Sequence, residues 1–411
     1  MRSTWNSGSL RLGKYPELGV SKNADVVVVG AGLTGALSAY MLTQAGKRVV
    51  LLEAGAQGNN ATSSYTTAFI TQALDTPLTE LVSLFGARKT RRIWRAGEGA
   101  IQQLETIIRK EDIDCDFMRC PGFAYARSQQ DQQALEEEAR TAERLGLDVS
   151  LGADALGIHH AGYLEIPNQA KFHPLKFLAG VLQRASDRKA EIYENSRVER
   201  VDFSGPLFTV RTRRASVTSK DLIIATHKPF DAKGTRFKKG TYISYVLELR
   251  LPAGSIKEGL YWDSANPYHY LRTDRMKGYD RVIFGGEDHR AEIKMKPARS
   301  FAALKQQFDE LVWPAQYKIV RRWTGPILES VDGVALIGKV ADHLYVATGF
   351  SGNGMVYAAL AARLFTDAIT GRRNEWQSIY SPRRHFPTRR LFLKGKDYIG
   401  EFFGGAVKNL L

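Results

Sequence analysis

The sequence is poor in cysteine, since only Cys115 and Cys120 occur among its 411 residues. Two cysteines cannot build the disulfide framework of a small secreted protein, and their spacing is not that of a CxxC metal-binding motif. The sequence therefore predicts neither a disulfide-stabilised fold nor a metal site.

Long apolar runs are also missing. Residues 1–22 lack an apolar core of signal-peptide length, and no later run approaches the length of a membrane span. Internal repeats and low-complexity tracts are absent as well. With 44% apolar and 25% charged residues, the chain has the composition of a globular protein and the length for two packed lobes. We expect a cytoplasmic location.

Acidic residues are in the minority. The formal net charge is +15, because 58 Lys and Arg residues face 43 Asp and Glu residues. The positive charge is dispersed and no nucleic-acid-binding motif accompanies it, so we expect no nucleic acid partner. Residues 381–411 form a basic tail with interleaved aromatic residues. This tail could lie on the inner face of a membrane or on an electron-accepting protein, or it could pack back on its own subunit.

A glycine-rich turn stands between two apolar strands in residues 25–53. Residues 25–29 predict the first strand and residues 48–52 the second, which ends at Glu53. The turn that opens the intervening helix consists of Gly30, Ala31, Gly32, Leu33, Thr34 and Gly35. This order is typical of a dinucleotide-binding unit.

The residue types of this unit have physical roles. Gly30 permits the tight turn, Gly32 has no side chain to hold a pyrophosphate away from the backbone, and Gly35 lets the helix lie close to the sheet. The phosphates would lie at the positive end of the helix. Glu53 can accept hydrogen bonds from ribose hydroxyls but would repel a 2′-phosphate, so FAD or NAD fits and NADP does not.

A small, hydroxyl-rich run follows at residues 54–69. It could follow an extended cofactor and give donors to phosphate and ribityl oxygens, although a surface loop would have the same composition. The candidate cofactor contacts in this run are Ala54, Ser63, Ser64, Thr66, Thr67 and Ala68.

Further pieces of a nucleotide-binding domain lie downstream. Residues 221–226 predict a buried parallel strand that ends in Ala225 and Thr226, and an alternating pattern that includes Val198 precedes it. Residues 343–348 predict another strand, after which a glycine-rich turn opens a helix that ends near residue 371. We therefore predict an α/β fold with a discontinuous Rossmann-like domain, made of residues 1–75, 150–230 and 325–380.

The remaining residues, 76–149 and 231–324, are assigned to a substrate domain built on an antiparallel sheet. Aromatic-rich strands between residues 242 and 289 predict that sheet. Outside it, we expect helices at residues 77–109 and 131–145, a strand at 122–127, and a turn at 167–174 that leads into a helix.

This arrangement resembles the D-amino-acid-oxidase-like flavoproteins, the family of glycine oxidase, sarcosine oxidase and γ-glutamylputrescine oxidase. The resemblance covers nearly the whole chain, and the segments that carry it are residues 30–53, 323–338 and 349–355. Residues 64–68, 269–272 and 285–289 look most like a branch that often bears a C-terminal Rieske iron–sulfur domain. No Cys or His pairs follow up to Leu411, so we expect that the Rieske domain is absent.

The resemblance implies an FAD-dependent oxidoreductase that converts a C–N bond of an amine or amino acid to an imine by hydride transfer. In the family, the segment that matches Gly352, Asn353, Gly354 and Met355 lies at the pyrimidine end of the flavin. The positive end of the helix that follows would stabilise the reduced ring there. Alternatively, Asn353 is a plain helix cap.

The antiparallel sheet would cover the flavin ring and supply the substrate site. Tyr268, Tyr270 and Arg272 alternate and so share one face of a strand. Arg272 could bind a substrate carboxylate while the tyrosines bound the amine; alternatively, Arg272 faces solvent or pairs with an acid such as Asp274. His289 is either a pocket residue or an ordinary surface histidine.

Three departures from the family pattern modify these expectations. Ile327 stands where amino-acid oxidases have an arginine that grips the carboxylate, so simple α-amino acids lose support. No cysteine follows Cys120, which predicts non-covalent FAD. Residues 281–285 lack the lysine that promotes reaction with oxygen in sarcosine oxidases. The alternatives left open are a dehydrogenase that passes electrons to a quinone or protein acceptor, and a non-catalytic FAD-binding subunit.

Overall fold

The computed structural model describes residues 3–6, 14–56, 61–228, 239–265, 267–312 and 316–386. Of the basic tail predicted at residues 381–411, only residues 381–386 are among them; the rest of that prediction lies outside the described residues. The strands of these segments form two β-sheets, and helices pack against each sheet.

The elements are numbered in chain order. The strands are β1 (Lys22–Val29), β2 (Val49–Leu52), β3 (Phe69–Ile70), β4 (Met118–Ala126), β5 (Ser150–Gly152), β6 (Gly162–Lys171), β7 (Glu191–Tyr193), β8 (Val198–Ser204), β9 (Leu207–Thr212), β10 (Ser216–Ile224), β11 (Lys239–Pro252), β12 (Leu260–Trp262), β13 (His269–Met276), β14 (Tyr279–Arg290), β15 (Lys318–Ser330), β16 (Leu336–Ala341) and β17 (Leu344–Thr348). The helices are α1 (Leu33–Gln44), α2 (Ala61–Tyr65), α3 (Leu78–Phe85), α4 (Ala87–Lys110), α5 (Gln129–Arg144), α6 (Pro174–Asp187), α7 (Pro297–Leu311), α8 (Gly354–Ile369) and α9 (Gln377–Tyr380), and a short 3-10 helix spans Thr4–Asn6.

The first sheet contains the predicted nucleotide-binding strands. Its order is β16-β17-β10-β1-β2-β7, with β9 paired to β10 and β8 paired to β9. Strands β17, β10, β1, β2 and β7 are parallel, so strands from both ends of the chain are neighbours, as predicted. The apolar runs of β1 and β2 suit this position, because one apolar cluster with helices covers one face and a second cluster covers the other. The predicted α/β fold class is confirmed.

A layer of helices packs on this sheet. Helix α8 lies between α1 and α4, and every residue from Met355 to Ala362 is buried. The predicted helical stretch at residues 77–109 consists of α3 and α4, which are separated at Gly86, where φ is 77°. Within the described residues, no helix combines the length and the apolar character that crossing a membrane requires.

The second sheet has the order β15-β11-β14-β13-β12-β4-β6-β3, with β5 paired to β6. Its pairs are antiparallel except for β12 with β4, which confirms the predicted antiparallel character of residues 242–289. Helix α7 covers β11 and β14 over an apolar cluster. The other parts of this sheet approach the carboxyl ends of the first sheet's parallel strands, where both contribute to one cavity.

The prediction of a turn at residues 167–174 is wrong for most of its length. Strand β6 continues to Lys171 and pairs with β4. The segment is polar, but the amide of Gln169 is fully buried: its Oε1 accepts from the N–H of Gln72 at 2.9 Å, and its Nε2 donates to the carbonyl of Pro167 at 2.6 Å. Tertiary hydrogen bonds thus outweigh the local turn preference.

The structure also moves the predicted domain boundaries. Residues 150–171 form β5 and β6 and belong to the second sheet, not to the nucleotide-binding domain. Strand β15 pairs with β11 of the second sheet up to Ser330, whereas the prediction assigned residues 325–330 to the nucleotide-binding domain. Both shifts arise because strand pairing with β4 and β11, invisible to local pattern, decides the membership of these residues.

Candidate functional site

A cavity of about 1940 Å³ is lined by residues of both sheets. The residues at the carboxyl ends of β1, β2, β10 and β17 form one part of its wall, and residues of β11, β13 and β15 with α3 and α5 form another. Pockets for small ligands usually measure about 300–1,000 Å³. This cavity is therefore large enough for a dinucleotide together with a substrate.

The turn between β1 and α1 has the geometry expected of a phosphate-binding turn. Gly30 has φ of 101°, and a Cβ atom there would lie 2.7 Å from the carbonyl oxygen of Ala225. A Cβ atom at Gly35 would lie 1.8 Å from the carbonyl oxygen of Gly30, so α1 approaches the strand at backbone distance. At Gly32, by contrast, a Cβ would come within 4 Å of one atom of the described residues beyond its chain neighbours and its own helix, Oγ of Ser63 at 3.4 Å. The space in front of Gly32 is cavity.

Glu53 is held in this cleft at the end of β2. Its Oε2 accepts a hydrogen bond from the N–H of Ala31 at 2.8 Å, and its Oε1 accepts from the N–H of Gly55 at 3.0 Å. Each oxygen retains acceptor capacity, and the side chain lines the cavity. The carboxylate is thus fixed beside the glycine turn, in the position from which a ribose can be bound.

The hydroxyl-rich run is tethered by donors from distant elements. The indole N–H of Trp323 donates to the carbonyl of Tyr65 at 2.9 Å, and that of Trp5 donates to the carbonyl of Thr66 at 2.6 Å. Nη1 of Arg272 donates to the carbonyls of the next two residues at 3.1 and 3.2 Å. Successive carbonyls are therefore held by side chains of the protein, which fixes the path of the run along the cavity.

Most of the predicted cofactor residues line this cavity. They are Gly30, Gly32, Leu33, Thr34, Glu53, Ala54, Ser63, Thr66, Thr67, Val198, Ala225, Thr226, Gly352, Asn353, Gly354 and Met355. The others lie behind the wall: Ala31, Gly35, Ser64 and Ala68 are buried. Ala31 and Gly35 fix Glu53 and α1 respectively, and Ala68, at φ of 57°, turns the run toward β3.

The start of α8 differs from a plain helix cap. The side chain of Asn353 makes no capping hydrogen bond; instead its Nδ2 donates to the carbonyl of Ala73 at 2.7 Å. The N–H of Gly352 donates to Oδ2 of Asp75 at 2.8 Å. Asn353 therefore occupies the N-cap position of α8, as the alternative interpretation has it, but does not cap the helix with its side chain. The residue docks α8 on the segment after β3, and the first N–H groups of the helix have no intrahelical acceptor.

Two of the predicted substrate residues form a wall of the cavity. The rings of Tyr268 and Tyr270 have centroids 5.7 Å apart, and Phe69 packs edge-on to Tyr270 at 5.9 Å. The hydroxyls of Tyr270 and Ser244 are 2.9 Å apart. Burial raises the pKa of both tyrosines well above its usual value, so both are neutral phenols. Ile327 of β15 lines the same cavity.

Arg272 does not join the tyrosines in the cavity, and its predicted role as a carboxylate-binding residue is wrong. Its side chain is 2% exposed, its Nε donates to Oδ1 of Asp274 at 2.9 Å, and its Nη1 donates to the carbonyl of Phe172 at 2.9 Å. The alternative, pairing with Asp274, is what the structure has. The alternation of side chains along β13 correctly places Arg272 on the same face as Tyr270. Arg272 lies farther along the strand than Tyr270, however, where it contacts the backbone of the hydroxyl-rich run and not the cavity.

His289 is also absent from the cavity wall, although it was a candidate pocket residue. Its Nε2 lies 3.0 Å from the hydroxyl of Tyr245, and its Nδ1 lies 2.8 Å from the carbonyl of Arg290. These contacts occupy both ring nitrogens and hold the ring away from the tyrosine pair. The prediction that places His289 in the substrate pocket is therefore wrong.

A buried carboxylate that sequence reasoning missed lies beside the tyrosine pair. Oδ1 of Asp288 is buried without a hydrogen-bond partner among the described residues. Burial raises the pKa of Asp288 to about 7; the charges of Asp75 and Glu329 act in the same direction, and the hydroxyls of Ser244 and Tyr268 oppose it. The available signal was the acidic pair Glu287 and Asp288, which follows two glycines after an apolar run.

Comparison with known proteins agrees with this geometry. The family model described as FAD dependent oxidoreductase matches residues 25–368. The chain is 29% identical over 389 residues to the "Putative Rieske 2Fe-2S iron-sulfur protein YhfW" of Bacillus subtilis, covering 93% of this chain and 75% of that protein. It is 24% identical over 408 residues to the γ-glutamylputrescine oxidoreductase of Escherichia coli, covering 91% of this chain and 89% of that protein. The crystal structure of glycine oxidase from Geobacillus kaustophilus superposes with a TM-score of 0.72 at 17% identity, over 89% of this chain and 99% of that one.

Proposed function

The chain belongs to the family of FAD dependent oxidoreductases, and we propose that it oxidises the C–N bond of an amine to an imine, which water hydrolyses to a carbonyl compound and an amine. The predicted cofactor, FAD, and the predicted enzyme class are confirmed by the family. The observation that carries the substrate proposal is the continuity of one cavity from the glycine turn to the tyrosine pair. The name of the Escherichia coli relative, a γ-glutamylputrescine oxidoreductase, supports an amine.

The residues that line the cavity fit FAD. We assign the pyrophosphate to the open space at Gly32 and the positive end of α1, and the ribose hydroxyls to Glu53. Ser63, Thr66 and Thr67 would follow the ribityl chain with hydroxyl donors. When bound, FAD supplies the electron acceptor for a hydride from the substrate carbon.

The side chains around the reacting carbon would position the substrate, exclude water and stabilise developing charge. The neutral phenols of Tyr268 and Tyr270, with Ile327 and Phe69, enclose the substrate and exclude water. The N–H groups at the start of α8 offer positive potential to negative charge that develops nearby. Hydride loss from the α-carbon of a neutral amine then leaves a C=N bond.

The test is anaerobic reduction of the bound flavin by a panel of amines and amino acids. We expect the visible flavin absorbance to bleach with at least one amine. Bleaching by none of the panel would leave the alternative of a non-catalytic FAD-binding subunit. The same preparation tests the attachment: FAD should be released by acid precipitation, because Cys115 and Cys120 are buried and neither lines the cavity.

The electron acceptor is proposed to be a quinone or a protein and not oxygen. Residues 281–285 contain no lysine, and the only lysine that lines the cavity within the described residues is Lys228, beside the first sheet. We propose that the enzyme works at the cytoplasmic face of a membrane, with the basic tail as its contact. Reoxidation of reduced enzyme should be faster with an artificial quinone than with oxygen; equal rates would contradict this.

A further inference from the structure

A row of side chains crosses the second sheet along the wall of the cavity. Trp262 of β12 pairs with Tyr270 of β13 on one side and with Ala124 of β4 on the other. Ala124 in turn pairs with Leu164 of β6. Directly paired residues of neighbouring strands project from the same face of a sheet, and all four residues line the cavity. At about 4.8 Å between strands, the row is about 14 Å long, and it leads from the tyrosine pair to β6.

Two glycines make room for the large rings of this row. A Cβ atom at Gly285 would collide with the ring of Tyr270, and one at Gly122 would lie 2.9 Å from Cη2 of Trp262. Each ring therefore lies over a glycine of the neighbouring strand. Ala124, which is paired with Trp262, contributes only a methyl group. The row is low at this point, which keeps a path from the tyrosine pair toward β6.

Apolar side chains of three helices lie at the far end of the row, where α5 packs on β4 and β6 and α3 packs on α5. Those that line the cavity are all buried: Leu78 and Leu81 of α3, Ile93 and Trp94 of α4, and Leu135 of α5. Leu135 and Leu164 belong to one apolar cluster, and the residues of α3 and α4 belong to another. We call the part of the cavity between these two clusters the apolar branch. Space lined by apolar side chains is a poor site for water and a good site for apolar groups.

The acids beside the apolar branch are bound within the protein. Oε2 of Glu138 accepts from the N–H of Leu78 at 2.7 Å, and its Oε1 accepts from the N–H of Thr79 at 2.9 Å. Oε1 of Glu137 accepts from Nη2 of Arg144 at 3.0 Å. Neither acid therefore requires a polar or cationic ligand in this part of the cavity.

The apolar branch also has an opening. Ala134 of α5 lines the cavity and is exposed. A ligand that follows the row can therefore continue toward the surface beside α5.

Resting on the proposed function, we propose that the substrate is an amine with a long apolar chain. Its nitrogen lies at Tyr268 and Tyr270, and its chain crosses Trp262, Ala124 and Leu164 into the apolar branch. Burial of each methylene group there is favourable, whereas a polar chain would lose water without gaining a partner. The enzyme therefore selects its substrate by the apolar chain as well as by the nitrogen.

The first test is a chain-length series on the holoenzyme. The apparent second-order rate constant of anaerobic flavin reduction is measured with n-alkylamines from propylamine to dodecylamine, each below its critical micelle concentration. We expect this constant to rise about threefold with each added methylene group until the chain fills the apolar branch. Rate constants that are equal along the series, or that fall with chain length, would overturn the proposal.

Two variants locate the chain. Ala124→Phe should lower the ratio of the rate constants for decylamine and propylamine at least about tenfold, whereas Ala153→Phe, at an exposed position outside the cavity wall, should leave the ratio unchanged. Ala134→Trp changes an exposed position that tolerates a large side chain, and it should shorten the chain length at which the rise stops. An equal loss with every amine in Ala124→Phe would show that the branch is only an entrance for small amines. If Ala124→Phe does not fold, an unchanged chain-length limit in Ala134→Trp would overturn the proposal in its place.

A binding measurement separates recognition from turnover. Decyltrimethylammonium and tetramethylammonium carry no N–H, and their affinities are measured by perturbation of the flavin absorbance. We expect the decyl compound to bind at least about tenfold more tightly to wild type; equal affinities would overturn the proposal and leave the enzyme class intact. Failure of every amine to reduce wild-type flavin would instead overturn the proposed function.

Discussion

A Cβ atom at Gly32 would lie at the cavity wall, 3.4 Å from Oγ of Ser63 and more than 4 Å from the other described residues beyond its chain neighbours and its own helix. Gly32→Val should therefore fold normally and lose bound FAD, because the branched side chain takes the space assigned to the pyrophosphate. The FAD-to-protein ratio of the purified variant measures this. Gly19→Val is the matched control, since a Cβ at exposed Gly19 meets no atom of the described residues within 4 Å, apart from its chain neighbours. Full flavin content in Gly32→Val would place the cofactor elsewhere.

Asp288 makes a second prediction, about stability and pH. Its pKa in the folded protein is raised from 3.8 to about 7. A raised folded-state pKa gives a stability contribution that is complete below the unfolded value of 3.8 and is lost as the pH rises through about 7. Asp288→Asn, which cannot ionise, should therefore melt at a higher temperature than wild type near pH 8, with the difference shrinking toward about pH 4. An equal difference at both pH values would show that the titration of Asp288 is not its cause.

At the scale of single residues, the sequence predicted that the glycine turn and Glu53 would lie at the site, but it did not single out Asp288. Gly30 is required by its φ of 101° and Gly35 by its close approach to the carbonyl of Gly30, whereas Gly32 leaves open the space assigned to the cofactor; all three stand in one contiguous motif. The position of Asp288 is set by a β-bulge opposite Ser244. No local sequence pattern reveals such a register shift, because the two strands are distant in the sequence.

At the scale of elements, the hydroxyl-rich run depends on tethers from other parts of the chain. Arg272 of β13 donates to the carbonyls of Thr67, Ala68 and Phe172, and so joins three segments. The run itself supplies hydroxyls to the cavity. The position of the cofactor-binding run is thus set by an ion pair on the second sheet.

Arg272→Met should accordingly weaken folding and FAD binding without changing substrate selectivity. Removing one partner of a buried ion pair costs about 3–5 kcal/mol, and Asp274 keeps Arg281 and Lys171 as partners, so we expect the lower end of this range. Thermal unfolding and FAD titration measure the two losses. Lys277→Met, an exposed lysine beyond the end of β13, is the control. A variant that keeps its stability but loses discrimination between amine and amino acid would restore Arg272 to the substrate site.

The helices and strands that could be predicted from the sequence are those in which apolar residues recur periodically or form a continuous run. The end of β1, from Val26 to Val29, and the whole of β2 are apolar on both faces, and α8 is apolar on all sides from Met355 to Ala362. Strand β6 was missed because its end, from Pro167 to Lys171, is polar and gains burial through partners such as Gln72 and Glu258, which lie far away in sequence. Likewise, the sequence offered Asp274 as a partner of Arg272, but alternation on β13 could not decide between this ion pair and a substrate carboxylate.

At the scale of the whole molecule, the two sheets line one cavity, and the described start of the basic tail contacts the rest of the chain. Within the described part of the tail, Arg384 is buried against Asp332, with Nη2 of the arginine 2.6 Å from Oδ1 of the carboxylate. This arginine therefore packs back on its own subunit. Arg383 is exposed, and the other charged residues of the tail lie beyond residue 386: Arg389, Arg390, Lys394, Lys396, Asp397, Glu401 and Lys408.

Removal of residues 387–411 should leave anaerobic flavin reduction intact and weaken binding to anionic liposomes. The truncated protein keeps Arg384 but loses residues 387–411, in which Lys and Arg outnumber Asp and Glu. Anionic lipids attract such a positively charged segment. Liposome co-sedimentation at low and high salt measures the effect, with neutral vesicles as the control. Equal binding by full-length and truncated protein, or a truncated protein that does not fold, would contradict the membrane role of the tail.

The most direct test of the account is a single turnover without oxygen, in which bound FAD and carbonyl product are measured in the same sample. With an alkylamine, we predict that the flavin bleaches and that an equimolar amount of aldehyde or ketone is trapped, since each hydride lost from carbon yields one imine that hydrolyses to one carbonyl group. Flavin that stays oxidised with every amine, or that bleaches without formation of a carbonyl compound, would contradict the account.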